Sequence, residues 1–175
     1  MHEALIQAPH ITAAGCLLLT LNEDKPYVLL AKDKYRRAYG VLAGQRQRLA
    51  GSGKKGLETP YQTALRETCE ESRGYWGVPY LEAHSQTTLR LERGHFMLFR
   101  ALVPWVAVAT IKAQKIPRFA PAWAAYREIS DYAWVSTEAI MRYPARSVPT
   151  QDGRRVRVHK ALAQELKDAE ALGWW

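Results

Sequence analysis

Several things are scarce in this chain of 175 residues, and each scarcity removes a class of protein. Cysteine occurs only as Cys16 and Cys69, whose spacing suggests neither a zinc site nor a disulfide framework, so both are expected to be reduced structural thiols. Long apolar runs are missing, and the longest, around Ala13 to Leu19, is too short to span a bilayer. Met1-His2-Glu3 carries no basic segment leading into an apolar stretch, so no secretion signal is visible and a cytoplasmic, membrane-free protein is expected. There is no internal repeat, low-complexity tract or convincing linker. A single domain over residues 1–175 is expected, with an appended amphipathic helix at about 156–172, where Val158, Leu162, Leu166, Ala169 and Leu172 recur before Gly173. RNP-like, KH-like and zinc signatures are lacking too, which puts an RNA-binding module of another fold last among the readings.

What is present is an ordinary globular composition, 47% hydrophobic and 24% charged, with a net charge of +8 that is unevenly placed. From Lys32 to Lys55, eight basic residues stand against Asp33 alone; from Arg142 to Lys160, six stand against Asp152. The rest is net acidic. Such clusters suit nucleic acid, an anionic surface, a small polyphosphate, or only a soluble surface. The first cluster leads straight into an acidic helix, which favours substrate phosphate. Four residues next to that helix, Arg46, Arg48, Lys54 and Lys55, are the candidates to meet it.

The helix lies between Gly56 and Gly74 and has marked ends. Thr59 is placed to cap it, Pro60 stands at the first helical position, and Gln62 completes a capping box. At 100° per residue, Glu67, Glu70 and Glu71 fall within about 100° of one another, opposite Tyr61, Leu65, Thr68, Cys69 and Ser72. Carboxylates roughly 6 Å apart repel by about 2.8 kcal/mol at an effective dielectric near 20, against about 0.7 in bulk water. A sheltered face of this kind needs a cation, and hard oxygen ligands favour Mg²⁺ or Mn²⁺. A solvated acidic face is the bland alternative. Glu58, eight residues before Arg66, adds a possible ion pair that would tie the preceding loop to the helix.

Glu58, then Arg66-Glu67, then Glu70-Glu71 resembles the core of the Nudix box: Gly, five residues, Glu, seven residues, Arg-Glu, an aliphatic residue, any residue, Glu-Glu, any residue, Gly. The match covers about twenty residues and departs from the pattern in places. Ser52 stands where the first Gly is expected, Thr68 at the aliphatic position, and one extra residue precedes Gly74. No charged position is lost. A second resemblance runs from Arg127 to Glu138, where many members of the family have a Glu-bearing loop, a strand ending in Trp-Val and a short helix. In those proteins the loop often supplies one more metal carboxylate, for which Glu128 matches best and Asp131 second.

The resemblance implies an α+β Nudix fold, an α/β/α sandwich around a mixed sheet, and a pyrophosphohydrolase. Glu67, Glu70 and Glu71, with Glu128, would hold Mg²⁺ or Mn²⁺, while Arg66 and Glu58 brace loop and helix. The implied reaction is hydrolysis of a nucleoside diphosphate linked to another moiety. A more highly charged substrate, such as a diphosphoinositol polyphosphate or the 5′ end of RNA, and a catalytically silent nucleotide-binding module are the alternatives. The working form is a monomer or homodimer.

Along the chain, Ile11 to Leu21 and Tyr27 to Ala31 read as a hairpin, Val41 to Gly44 as a short strand, and 45–55 as an insertion that either folds over pyrophosphate or is a surface loop. Tyr75 to Pro79 reads as a turn with exposed aromatics. Strands are expected at Ala83 to Leu91 and His95 to Val103, irregular chain at Ile111 to Ala125, and a basic loop at Arg142 to Arg157. Phe119, Trp123 and Tyr126 read as core aromatics before base-stacking ones, and His95 as packed or exposed rather than catalytic.

Overall fold

The apolar run near the start becomes the strand around which the sheet is laid. The computed structural model describes residues 8–48, 56–115, 128–144 and 147–175, with backbone alone at 87–89. Strand β1 (Ala13–Asn22) is buried on both faces, sending Cys16 and Leu18 into one core and Leu17 and Leu19 into the other. That is why the run shows no alternation. β1 turns into β2 (Lys25–Asp33) through Glu23 and Asp24, both at positive φ, the left-handed pair that a two-residue hairpin requires. Pro26 therefore lies inside β2, not in the turn.

One edge of β1 is shared. β3 (Leu42–Gln45) pairs antiparallel with its first half, and β2 with its second. Gly15 makes the β3 contact possible, because a Cβ there would meet the Ala43 Cβ and the Leu42 carbonyl at 2.4 Å. Helix α1 (Pro60–Glu71) packs on β1 and β3 through Ala64, Leu65 and Thr68. Truncating a residue such as Leu65 to Ala costs about 2 to 5 kcal/mol in a packed core.

After α1 the expected turn occupies residues 75–77, but its aromatics are not exposed, Trp76 being 2% exposed, and helix α2 (Val78–His84) begins before the turn was expected to end. The Pro at its first turn starts this helix, as Pro60 starts α1. β4 (Ser85–Arg93) therefore begins later than expected and pairs antiparallel with β5 (Phe96–Leu102), which runs parallel to β1 on its other edge. Helix α3 (Val108–Lys112) occupies the start of the segment read as irregular; Phe119, Trp123 and Tyr126 lie outside the described residues. β6 (Ile129–Ser136) pairs with β2 and runs into α4 (Thr137–Arg142), capped by Ser136.

The basic loop contains a hairpin, β7 (Ser147–Pro149) with β8 (Arg155–Arg157), turned at Gly153 with φ +81°. The last helix, α5 (Leu162–Ala171), is shorter than the apolar repeat suggests, because Val158 is drawn into a bridge with Tyr39. α1, α2 and α3 contribute to one core, and α4, α5 and the small hairpin to the other. The result is an α+β sandwich with a mixed sheet in strand order β4-β5-β1-β2-β6, β3 lying beside β1. Among the described residues no helix is long and apolar enough to cross a membrane. Cys16 and Cys69 are not joined in a disulfide, and burial pushes the Cys16 thiol up to about 12.

Candidate active site

The capping chemistry forms as written in the sequence. Gln62 N–H donates to Thr59 Oγ1 at 3.1 Å and Thr59 N–H to Gln62 Oε1 at 2.9 Å. The far end is less ordinary. Arg73 takes a left-handed backbone, φ +56°, ahead of Gly74 at +75°, a conformation that costs roughly 1 to 2 kcal/mol for a side-chain-bearing residue. Its guanidinium donates to the carbonyls of Lys112 at 3.0 Å and Ile129 at 3.4 Å, tying the helix end to α3 and β6. Tyr132 of β6 also donates to the Glu71 carbonyl, at 2.5 Å. The helix is thus held from beneath before its carboxylates meet anything.

Arg66 is the hub of the charged turn. Its Nε and Nη2 fork onto Glu58 at 2.7 and 2.9 Å, and its Nη1 reaches Glu67 Oε1 at 2.8 Å and Glu70 Oε2 at 3.0 Å. Glu58 also accepts from the Gln47 N–H and the Thr63 hydroxyl. Burial works against the Glu58 charge, but Arg66 and these donors together hold its carboxyl below the ordinary value. Glu67 and Glu70 are held above theirs by burial, although Arg66 pulls both down.

Glu71 differs. Its Oε2 accepts from the Ala43 N–H at 2.7 Å, and burial followed by repulsion from Glu67 pushes its carboxyl up to about 8. Glu67, Glu71 and Glu128 line one cavity of about 850 Å³, joined by Asp33 at the end of β2. Gly44 allows Glu67 its position, since a Cβ there would lie 2.1 to 2.4 Å from the carboxyl atoms. Arg36, Arg37, Arg157 and Lys160 bring basic groups to the same lining. The cavity is acidic toward the helix and basic elsewhere.

Some expected residues take other places. Glu70 is 6% exposed, is not in the cavity lining, and pairs with Arg66. Arg46, expected at substrate phosphate, is spent on backbone: its guanidinium donates to the carbonyls of Glu58, Ala8 and Ile11. Arg48 is exposed, bridges by its backbone to Leu57 and is not in the lining, while Lys54 and Lys55 lie outside the described residues. Asp131, second choice to Glu128, accepts from Tyr39, Arg154 and Lys112, which overcome its burial and hold its carboxyl far below the ordinary value. His95 Nδ1 bonds the His10 carbonyl, a packing role. Four other members of the two basic clusters, Arg36, Arg37, Arg157 and Lys160, line the cavity. Charge counting found the clusters, while which of their described members line the cavity depends on the fold.

Among the described residues no three carboxylates, imidazoles or thiols already converge as a ready metal cage. The donor chemistry nevertheless fits a hard divalent cation: all-oxygen side chains, a half-buried Glu71 relieved by no cation of its own, and Glu67 with one oxygen on Arg66 and the other uncommitted. Glu67, Glu71 and Glu128 are the residues that can hold it.

No family model and no curated protein matches this chain. Solved structures do. The C. elegans Ap4A hydrolase in a binary complex is similar over 93% of this chain and 96% of its own, with TM-score 0.51 at 13% identity. The Nudix domain of Shewanella oneidensis NrtR, complexed with ADP ribose, aligns over 98% and 93% with TM-score 0.48 at 14% identity. The M. smegmatis Nudix hydrolase RenU aligns over 94% and 86% with TM-score 0.43 at 14% identity. Likeness at these identities speaks of fold, and the first of the three carries the assignment. The α+β sandwich expected of the chain is the one adopted, and the chain shares its fold with that hydrolase.

Proposed function

We propose that this chain is a Nudix pyrophosphohydrolase that uses Mg²⁺ or Mn²⁺ to cleave a nucleoside diphosphate linked to another moiety. One observation carries the reading: a half-buried Glu71 with no cation of its own, lining the same cavity as Glu67, Glu128 and four exposed cations. A divalent ion held there supplies neutralisation of the phosphate oxygens. Arg66 fixes Glu67 and the Ala43 N–H fixes Glu71, so each presents one committed and one open oxygen without side-chain rearrangement. Arg36, Arg37, Arg157 and Lys160 meet the phosphate charge that remains. Water adds to one phosphorus, the bridging P–O bond breaks, and the proton released from water passes to a carboxylate of the cavity.

The basic wall also supports a second reading, a more highly charged substrate such as an inositol pyrophosphate or the 5′ end of RNA. A panel with Mg²⁺ and Mn²⁺ tests both: nucleotide sugars, ADP-ribose, Ap4A, inositol pyrophosphates and triphosphate or capped RNA. Release of phosphorylated products from a small diphosphate, weakly dependent on salt, is the expected result; a steep salt dependence restricted to RNA favours the second. If the wild type is inert across the panel yet binds nucleotide, the chain is a silent binding module.

A further inference from the structure

The charged cavity does not end at its charges. A second recess of about 340 Å³ continues from it, with Arg36, Val41, Gly44 and His159 in the common wall. The rest of its lining is different in kind. Phe96 of β5 and Leu162 of α5 offer carbon, and Glu165, on the same helix, offers a single carboxylate. Glu165 is half-buried, and among the described residues its carboxylate makes no hydrogen bond and no ion pair within 4 Å. Arg93, the cation whose field it feels, is turned toward Asp168 at 4.0 Å. Burial pushes the Glu165 carboxyl up, Arg93 working against this and Asp168 with it. Sheltered acceptors are normally matched by donors, so an unmatched one beside an aromatic ring marks where a ligand brings N–H groups.

We infer that this recess binds the heterocyclic base of the substrate, with Phe96 and Leu162 against the ring and Glu165 accepting from its amino edge. The inference rests on the hydrolase reading for the cavity next door and names the part of the substrate that reading leaves open. A carboxylate only accepts, so it selects bases by their donors. Guanine offers a ring N–H beside an exocyclic amino group and can bond both oxygens at once. Adenine and cytosine offer an amino group alone. Uracil's ring N–H stands between two carbonyls that a carboxylate repels. An inositol ring or a bare polyphosphate chain has no planar face for Phe96 and no N–H for Glu165.

The test is direct binding, read by calorimetry, of GMP, AMP, CMP, UMP and ribose 5-phosphate to the full chain and to its Glu165→Gln and Phe96→Leu variants. Thermal melting checks that each variant is folded. Wild type should bind GMP tightest and UMP no better than ribose 5-phosphate. Glu165→Gln should weaken GMP on the order of tenfold, the worth of a hydrogen bond to a charged group, while leaving ribose 5-phosphate unchanged. Equal affinity for GMP and ribose 5-phosphate in the wild type, or GMP binding indifferent to Glu165→Gln, overturns the inference; the wild-type series decides even if a variant fails to fold. Diphosphate hydrolysis by the same preparations separates the two readings. Hydrolysis with a flat base series leaves the hydrolase and removes the base recess, a graded base series without hydrolysis does the reverse, and neither result removes both.

Discussion

The box helix has two acidic regions that look alike in the sequence and are opposites in the fold. Around Arg66, Glu58 and Glu70 are matched by a guanidinium that reaches both and also touches Glu67, and the result is a brace from loop to helix. Around Glu71, carboxylates face one another across a cavity, and the cations of that cavity do not touch them from within the helix. A satisfied buried charge network holds structure; an unsatisfied one holds a ligand. Under the proposed function the contrast gives the two halves of one motif two jobs.

The largest test of this contrast is Glu71→Gln. Hydrolysis should fall about 10³-fold, on the scale of losing a principal electrostatic element of a site, with thermal stability kept because the amide has the same shape and still accepts from the Ala43 N–H. Unchanged turnover would erase the distinction. Arg66→Ala should do the reverse in urea titrations, costing about 3 kcal/mol of folding stability, since the buried Glu58 and Glu70 both lose their ion-pair partner. A loss below 1 kcal/mol would mean that Arg66 is no brace. Gly44→Ala touches only the join between the regions: the new methyl displaces the Glu67 carboxyl, so turnover should fall by about 10²-fold while the melting temperature moves little.

The smallest effect is in pH. In EDTA the folded chain keeps a proton on Glu71, up to about pH 8, that an unfolded chain releases near the ordinary carboxylate value. This group's contribution is therefore full at acid pH and is lost as pH rises toward about 8. Melting of the EDTA-treated wild type should drop by a few degrees across that window, and less so in Glu71→Gln; Mg²⁺ at about pH 8 should restore it in the wild type only. Asp131, held low by Lys112, Tyr39 and Arg154, acts in the other direction, with stability present above its ordinary value and lost in strong acid.

Much of this was legible without coordinates where the signal is local. A Thr-Pro-x-Gln start, a 3.6-residue period and charges at fixed intervals describe α1 and its Glu58-Arg66 pair because partners eight residues apart across a cap can hardly miss each other. The errors are non-local. Trp76 looks exposed beside Gly74 and Gly77, but α2 folds it under. Arg46 looks free beside the box, yet three carbonyls from two segments converge on its guanidinium. Glu70 looks equivalent to Glu71 on a helical wheel, and only the neighbour across the helix distinguishes them.

Capping and spacing by themselves determined that this chain makes an acidic, well-ended helix, because those properties depend on residues close in sequence; the mixed sandwich entered only as what the resemblance of that helix to the Nudix box implies. Which glutamates face the cavity, which arginines share it, and that Phe96 and Glu165 adjoin it were decided only in three dimensions. Strands β1 and β5 run parallel and so bring residues some eighty positions apart side by side, and no local pattern encodes that meeting.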